Sequence, residues 1–236
     1  MRVRVGCCGF ARRFEEYAQH LDVVEVQQTF YRMPQHRTVE RWRRRVPDRF
    51  EFTLKAWQLI THTPDSPTYR RLGHKIPVAL RHRYGSFAPT REVEVAWQAT
   101  LDVARALRAT IVVFQCPARF GPTDPHVANL RHFFANVPRE GLRFAWEPRG
   151  HWPPALVKAL CRELDLIHCV DPFVAPSQYG DPCYYRMHGR GGYRYRYTDE
   201  DLQQLREMCT GPTYVLFNNV SMWDDAVRFL RLVGAA

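Results

Sequence analysis

Eight short apolar runs, each closing on a polar or charged residue, constrain this chain more than any other feature. They are VRVGCCG (3–9), DVVEVQQTF (22–30), FEFTLKAW (50–57), TIVVFQC (110–116), LRFAWEP (142–148), DLIHCVDP (165–172), CYYRMHG (183–189) and TYVLFNN (213–219). Strands buried on both faces of a parallel sheet need near-continuous hydrophobicity of this kind. Amphipathic stretches separate them: 11–21, 38–46, 90–108, 123–137, 153–164, 198–209 and 222–234. Thr90 and Thr198 stand where helix caps belong, and Asp201 three residues after Thr198 suggests a partial capping box. Eight strand runs alternating with these seven stretches approach the regular strand–helix repeat of a barrel and predict an α/β chain folded as a single (β/α)8 TIM-barrel-like domain across 1–236. An open doubly wound sheet is the rival, disfavoured because no glycine-rich phosphate loop follows the first run.

The remaining composition narrows the setting. No run of apolar residues is long enough to span a bilayer, so no membrane partner is expected. The first strand begins by Val3, which leaves no room for a signal peptide. Seven scattered cysteines without a CxxC pair fit a reduced, cytoplasmic protein whose thiols are small buried apolar groups. The formal net charge is +10, yet only Lys55, Lys75 and Lys158 are lysines. Such arginine bias follows either from base composition or from a phosphate-binding surface. Clustering favours the surface: a basic loop insertion around 63–90 carries Arg70, Arg71, His74, Lys75, Arg81, His82 and Arg83. It follows the third strand, so it is expected over the mouth of the barrel as a clamp for a polyanion. Oligomeric state is left open.

A barrel of this type builds its site at the carboxyl ends of its strands. Glu25, Lys55, Gln115, Glu147, Arg149, Asp171, Arg186, His188 and Asn218 fall there. Tyr184, Arg186 and His188 share strand parity and hence a face, as do Ala145, Glu147 and Arg149. Glu25 and Glu147 on opposite strands meet the minimal requirement for glycoside hydrolysis. They also begin a divalent-metal site that His62, His188 or Asp171 would complete. No HxH, HExxH or DxD spacing supports a dedicated protein cage. Lys55 is a Schiff-base candidate, although an anion contact suits so basic a site better. Beyond His188, Arg190 and a glycine-rich turn precede Tyr193, Tyr195 and Tyr197, which alternate with Arg194 and Arg196. That alternation suits stacking on bases with phosphate contacts alongside; the alternative is a solvated hairpin packed on the rim.

VVEVQQTFYRMP (23–34), FTLKAWQLITH (52–62), VVFQCPARF (112–120), FAWEPRGHW (144–152), HCVDPF (168–173), YYRMHGRGGYRYRYTDEDL (184–202) and FNN (217–219) together resemble the YecE-like family, domain-of-unknown-function family 72. The resemblance covers nearly the whole chain and implies a TIM-barrel-like, stand-alone cytoplasmic protein without an established activity. It further implies that Tyr31, Thr61, His62, Gly189, Arg190, Tyr195 and Asn219 join the polar cluster at the mouth. Two departures fall at the site: Gln27 replaces the usual asparagine, and Cys7-Cys8-Gly9-Phe10 replaces a glycine–serine–glycine–tryptophan turn.

Three functions follow as expectations. The first is a phosphate- or phosphodiester-handling hydrolase, with nucleic acid or a phosphorylated small molecule as substrate. Glu25, Lys55, Glu147 and His188 would do its chemistry; Tyr31, His62, Gln115, Arg149, Asp171, Arg186, Arg190, Tyr195, Asn218 and Asn219 would bind. The second is a carbohydrate-active hydrolase using Glu25 and Glu147. The third is a non-catalytic binder of nucleic acid or an anionic metabolite.

Overall fold

The computed structural model describes residues 3–234. Its strands are β1 (Val3–Cys7), β2 (Val23–Val26), β3 (Glu51–Lys55), β4 (Ile111–Gln115), β5 (Arg143–Glu147), β6 (Leu166–Val170), β7 (Cys183–Met187) and β8 (Thr213–Phe217). Each pairs in parallel with the next, and β8 returns to β1, so the sheet is a closed barrel. The helices are α1 (Phe14–His20), α2 (Gln28–Tyr31), α3 (His36–Arg44), α4 (Gln58–Thr61), α5 (Arg91–Leu107), α6 (Asp124–Asn136), α7 (Pro154–Glu163), α8 (Asp199–Met208) and α9 (Met222–Gly234). The α/β barrel expected from the apolar runs is therefore the fold.

Parity sorts the strand residues into two cores. One set of alternate positions faces outward: Val24, Phe52, Leu54, Phe114, Phe144, Trp146, Val215 and Phe217 pack under the helices. Phe87, Trp97, Phe133 and Phe134 reach Phe114 through ring contacts with centroids 5.0–6.1 Å apart. The other set fills the lumen in layers, as closed eight-stranded barrels require. At the amino-terminal end Arg4 pairs with Glu51, whose other oxygen accepts from Tyr214 Oη at 2.5 Å. Val23, Ile111, Val113, Ala145, Ile167, Cys169, Tyr184 and Leu216 form the apolar middle. Ionisable residues crown it at the carboxyl end.

Three local features depart from a regular repeat. Residues 171–182 join β6 to β7 without a helix, so the alternation is incomplete there. Pro172, Pro176, Pro182 and Gly180 account for it, since proline removes donors and blocks the preceding helical turn. The runs at 22–30 and 50–57 are also shorter strands than their hydrophobicity suggests. Their ends coil into α2 and α4, which carry Tyr31 and Thr61 inward. Finally, the basic 63–90 segment is ordered by two 3-10 turns, Pro67–Arg71 and Val78–Arg83. It returns to the barrel where Gly85 N donates to Leu59 O at 2.8 Å and Phe87 N to Ile60 O at 2.8 Å.

The capping box at α8 is present, with Asp201 N donating to Thr198 Oγ1 at 3.1 Å and Thr198 N to Asp201 Oδ2 at 3.0 Å. All seven cysteines are free, and every one but Cys183 is buried. Burial pushes the Cys7 thiol up to about 12, with Asp225 adding to the rise against the hydrogen bond from Tyr17. Such thiols are inert packing groups.

Candidate active site

Arg186 is the hub of the crown. It rises from β7 into the lumen with no exposed surface. Its Nη2 lies 3.0 Å from Glu25 Oε1, and its Nη1 pairs with Glu147 Oε2 and donates to Gln115 Oε1 at 3.2 Å. One guanidinium thus joins β2, β4, β5 and β7. A buried charge without partners is expensive, and here a cation sits between two anions. Glu25 is held further by Gln27 Nε2 and by Tyr184 Oη, which donates to Glu25 Oε2 at 2.9 Å and lies 2.8 Å from Thr53 Oγ1. The glutamine at the family's asparagine position therefore still reaches Glu25.

Glu147 faces the open end. Its Oε1 accepts from Arg149 Nε at 2.6 Å and lies 3.2 Å from His188 Nε2. Burial raises its carboxyl pKa, but Arg186, His188 and Arg149 outweigh that and hold it well below the usual carboxylate range. It is an anion at neutral pH. His188 Nε2 also lies 2.7 Å from Arg149 Nη2. The guanidinium only donates, and the carboxylate only accepts. Two partners of opposite sense thus compete for one ring nitrogen. Nδ1 faces the Asn218 amide at 3.1 Å. Arg149 and His188 side chains are 38% and 23% exposed, against 1% for Arg186, so they are the crown's solvent-facing donors.

Lys55 closes β3 in a different setting. Its Nζ stands 3.6 Å from the Phe30 ring centroid, a cation–π arrangement. Among the described residues no carboxylate lies within 4.0 Å of it. Burial pulls its pKa down and Arg186 adds to the fall, so Glu147 and Glu25 leave it at about 7. His62 lies under the same influence: burial, then the charges of Lys55 and Arg119, lower it to about 3. It is a neutral ring bonded through Nδ1 to Thr61 Oγ1 at 2.8 Å and packed against Phe30.

The other predicted residues form a supporting ring. Asp171 accepts from the backbone N–H groups of His188 at 2.9 Å and Phe173 at 3.1 Å, fixing the turn that carries His188. Arg190 and Tyr195 both engage Asp201, at 2.6 Å each. Asn219 donates to Tyr195 O and Asp225 Oδ2, both at 2.7 Å. Tyr31 lies under Arg71, whose guanidinium carbon is 3.5 Å from its ring centroid. Arg71 is the part of the basic excursion that meets the crown. Arg81 instead donates to Pro64 O and Arg83 pairs with Glu92 at 3.0 Å.

Gln27 and Tyr184, which the sequence places at the site and on its face, complete the cluster together with Phe30 and Asp201, which were not singled out as site residues. Parity alone places Tyr184 beside Arg186, and the capping pattern flags Asp201. The divalent-metal expectation meets Arg186 where an ion would sit. Glu25 and Glu147 are both committed to it, and among the described residues no three His, Cys, Asp or Glu side chains gather as ligands. This donor set does not fit a divalent ion while Arg186 remains. Two hollows lie away from the crown: about 810 Å³ beside α8 and α9, and about 520 Å³ near Arg143 and Asp181 at the other end of the barrel.

A closed parallel barrel with an ionisable crown at its strand ends is a TIM-barrel protein. Within that class, the family described as "Protein of unknown function DUF72" matches residues 7–235, and the chain belongs to it. The UPF0759 protein YunF of Bacillus subtilis is 25% identical over 255 residues, covering 91% of this chain and 83% of its own length. A DUF72 family protein from Enterococcus faecalis superposes with a TM-score of 0.76 at 20% identity, over 100% of this chain and 96% of that one. One from Thermotoga maritima gives 0.69 at 19%, over 99% and 100%. A D-psicose 3-epimerase gives 0.59 at 12%, over 95% and 92%. These structures share the fold. Among the described residues no helix is long and apolar enough to cross a membrane.

Proposed function

We propose that the crown is the active site of a hydrolase for phosphate-bearing substrates, phosphodiesters of nucleic acid among them. One observation carries this reading: with Glu25 and Glu147 both paired to Arg186, Arg149 and His188 stand as adjacent solvent-facing groups, and among the described residues Lys55 has no carboxylate within 4.0 Å. A phosphate oxygen approaching Arg149 draws the guanidinium off His188 Nε2. The freed ring then moves the proton of an attacking water or leaving oxygen, while Arg149 and Lys55 stabilise charge on the transferring group. The carbohydrate alternative needs one carboxyl group protonated at working pH. Arginine-bound Glu147 is a poor candidate for that acid.

Nucleic acid is favoured over a small ester by the rim. Tyr193, Arg194 and Arg196 are exposed on the loop that follows His188, and Arg70, Arg81 and Arg83 are exposed on the excursion. Of the three tyrosines expected to alternate there, Tyr197 is buried with its hydroxyl accepting from Gly189 N and Tyr195 is held by Asp201, so stacking on a single strand falls to Tyr193, with phosphate contact from the arginines beside it. Fluorescence anisotropy of a labelled single-stranded oligonucleotide, titrated with salt, tests the reading. Affinity should fall steeply with salt as counterions are released. Arg81→Glu with Arg83→Glu should weaken binding to different sequences about equally. Salt-insensitive signals, unchanged by that double substitution, would leave only a small phosphate ester as substrate. Binding without turnover of any ester would make the protein a non-catalytic binder.

A further inference from the structure

Lys55 differs from every other buried ionisable group in the crown. Glu25, Glu147, Arg186 and Asp171 each hold charged or hydrogen-bonding partners within 3.2 Å. Lys55 is only 5% exposed, and among the described residues its ammonium meets no hydrogen-bond acceptor. Only the Phe30 ring face receives it. The groups around it are mixed: Glu25 from β2, Glu147 and Arg149 from β5 and its following loop, Arg186 from β7, and His62 beyond α4. The two arginines oppose its charge and the two glutamates support it, with both glutamates already paired to Arg186. A lysine so placed spends a large share of its time as a free amine at neutral pH, whereas an ordinary lysine, at about 10.4, is almost wholly protonated.

We propose that Lys55 is a carbonyl-reactive amine that forms an imine with an aldehyde or ketone whose anionic group is held by Arg149. The Nζ lone pair attacks the carbonyl carbon, and the π pair moves to oxygen. One amine proton passes to that oxygen to give the carbinolamine. The C–O bond then breaks, and the oxygen leaves as water with the second amine proton, so amine plus carbonyl gives imine plus water. Phe30 shields the amine from bulk solvent, and the location at a strand's carboxyl end places it where barrel substrates enter. The anion-holding part rests on the proposed phosphate site; the imine itself does not.

Reductive trapping separates the two. The intact protein is incubated near pH 7 with cyanoborohydride and either glyceraldehyde 3-phosphate or the uncharged propanal, then digested and analysed by mass spectrometry. Lys75 and Lys158, both exposed, are the internal references. Modification of Lys55 by the phosphorylated aldehyde should exceed that of either reference at least tenfold, and Arg149→Ala should abolish the preference for it over propanal. Equal labelling of Lys55 by both aldehydes in the wild type would keep the amine and overturn the phosphate site. Labelling of Lys55 no greater than that of Lys75 and Lys158 with either aldehyde would overturn the imine. In Arg149→Ala the readout is the ratio of labelling by the phosphorylated aldehyde to labelling by propanal, in which any change in the amine's own reactivity on loss of the neighbouring guanidinium cancels.

Discussion

Replacing Arg186 with methionine should lower the stability of this barrel by about 3–5 kcal/mol at neutral pH, the cost typical of stranding buried charges by removing their partner. For a chain of this size that is a fall in Tm of roughly 6–20 °C. Methionine fills much of the volume, so the loss is electrostatic: Glu25 and Glu147 are left in the lumen without their shared cation. Its sign with pH follows from Glu147. In the wild type its folded pKa is depressed, so its contribution is fully present above the unfolded value and lost as pH falls through the folded one. In the variant burial acts with less opposition, the carboxyl pKa rises, and acid relieves the strain. The gap in Tm between the two proteins should therefore narrow from pH 8 to pH 4. Adding Glu147→Gln to the variant should recover part of the loss. An equal loss at both pH values, with no rescue, would show that Arg186 matters only for packing.

The second large effect is expected at Gly85, where the basic excursion docks on α4. Its φ is +80°, and an added Cβ would press into the His62 carbonyl and stand 2.6 Å from Thr63 N. Those neighbours are backbone atoms that cannot swing away. Backbone strain of roughly 1–3 kcal/mol and overpacking of roughly 1–3 kcal/mol both apply to Gly85→Ala. The predicted outcome is a loss of about 3 kcal/mol or more in chemical denaturation, with proteolysis appearing first between residues 63 and 90. Gly121→Ala, where an added Cβ meets nothing within 4 Å, is the matched control. A Gly85 variant as stable as that control would contradict the docking geometry.

Much of this was legible in the residues, and the reasons are local. A run such as TIVVFQC states both its strand and its polar end, and parity alone puts Tyr184, Arg186 and His188 on one face. The partnership of Arg186 with Glu25 and Glu147 is another matter. It joins three strands across a lumen, and no spacing along the chain encodes a contact set by barrel closure and stagger. The same gap hid the isolation of Lys55, which depends on Phe30 arriving from α2, a turn that the hydrophobic pattern reads as more strand. The absent helix between β6 and β7 was announced by its prolines, against the expectation of regular alternation. Arg190 and Tyr195 read as free binding groups in sequence. Asp201 holds both, while also capping α8.

On the proposed reading, Arg149 and His188, rather than Arg186, meet a phosphate at the mouth. Its most direct test is a 31P NMR titration of a mononucleotide against wild type and Arg149→Ala at matched ionic strength, with Tm recorded for both. Charged hydrogen bonds contribute about 1.5–3 kcal/mol, so binding to the wild type should be saturable and weaken by roughly 10–150-fold in the variant. Tm should hardly change, because Arg149 is partly exposed and Glu147 keeps Arg186. A wild type that gives no saturable 31P response, or a variant that binds equally well, would contradict it.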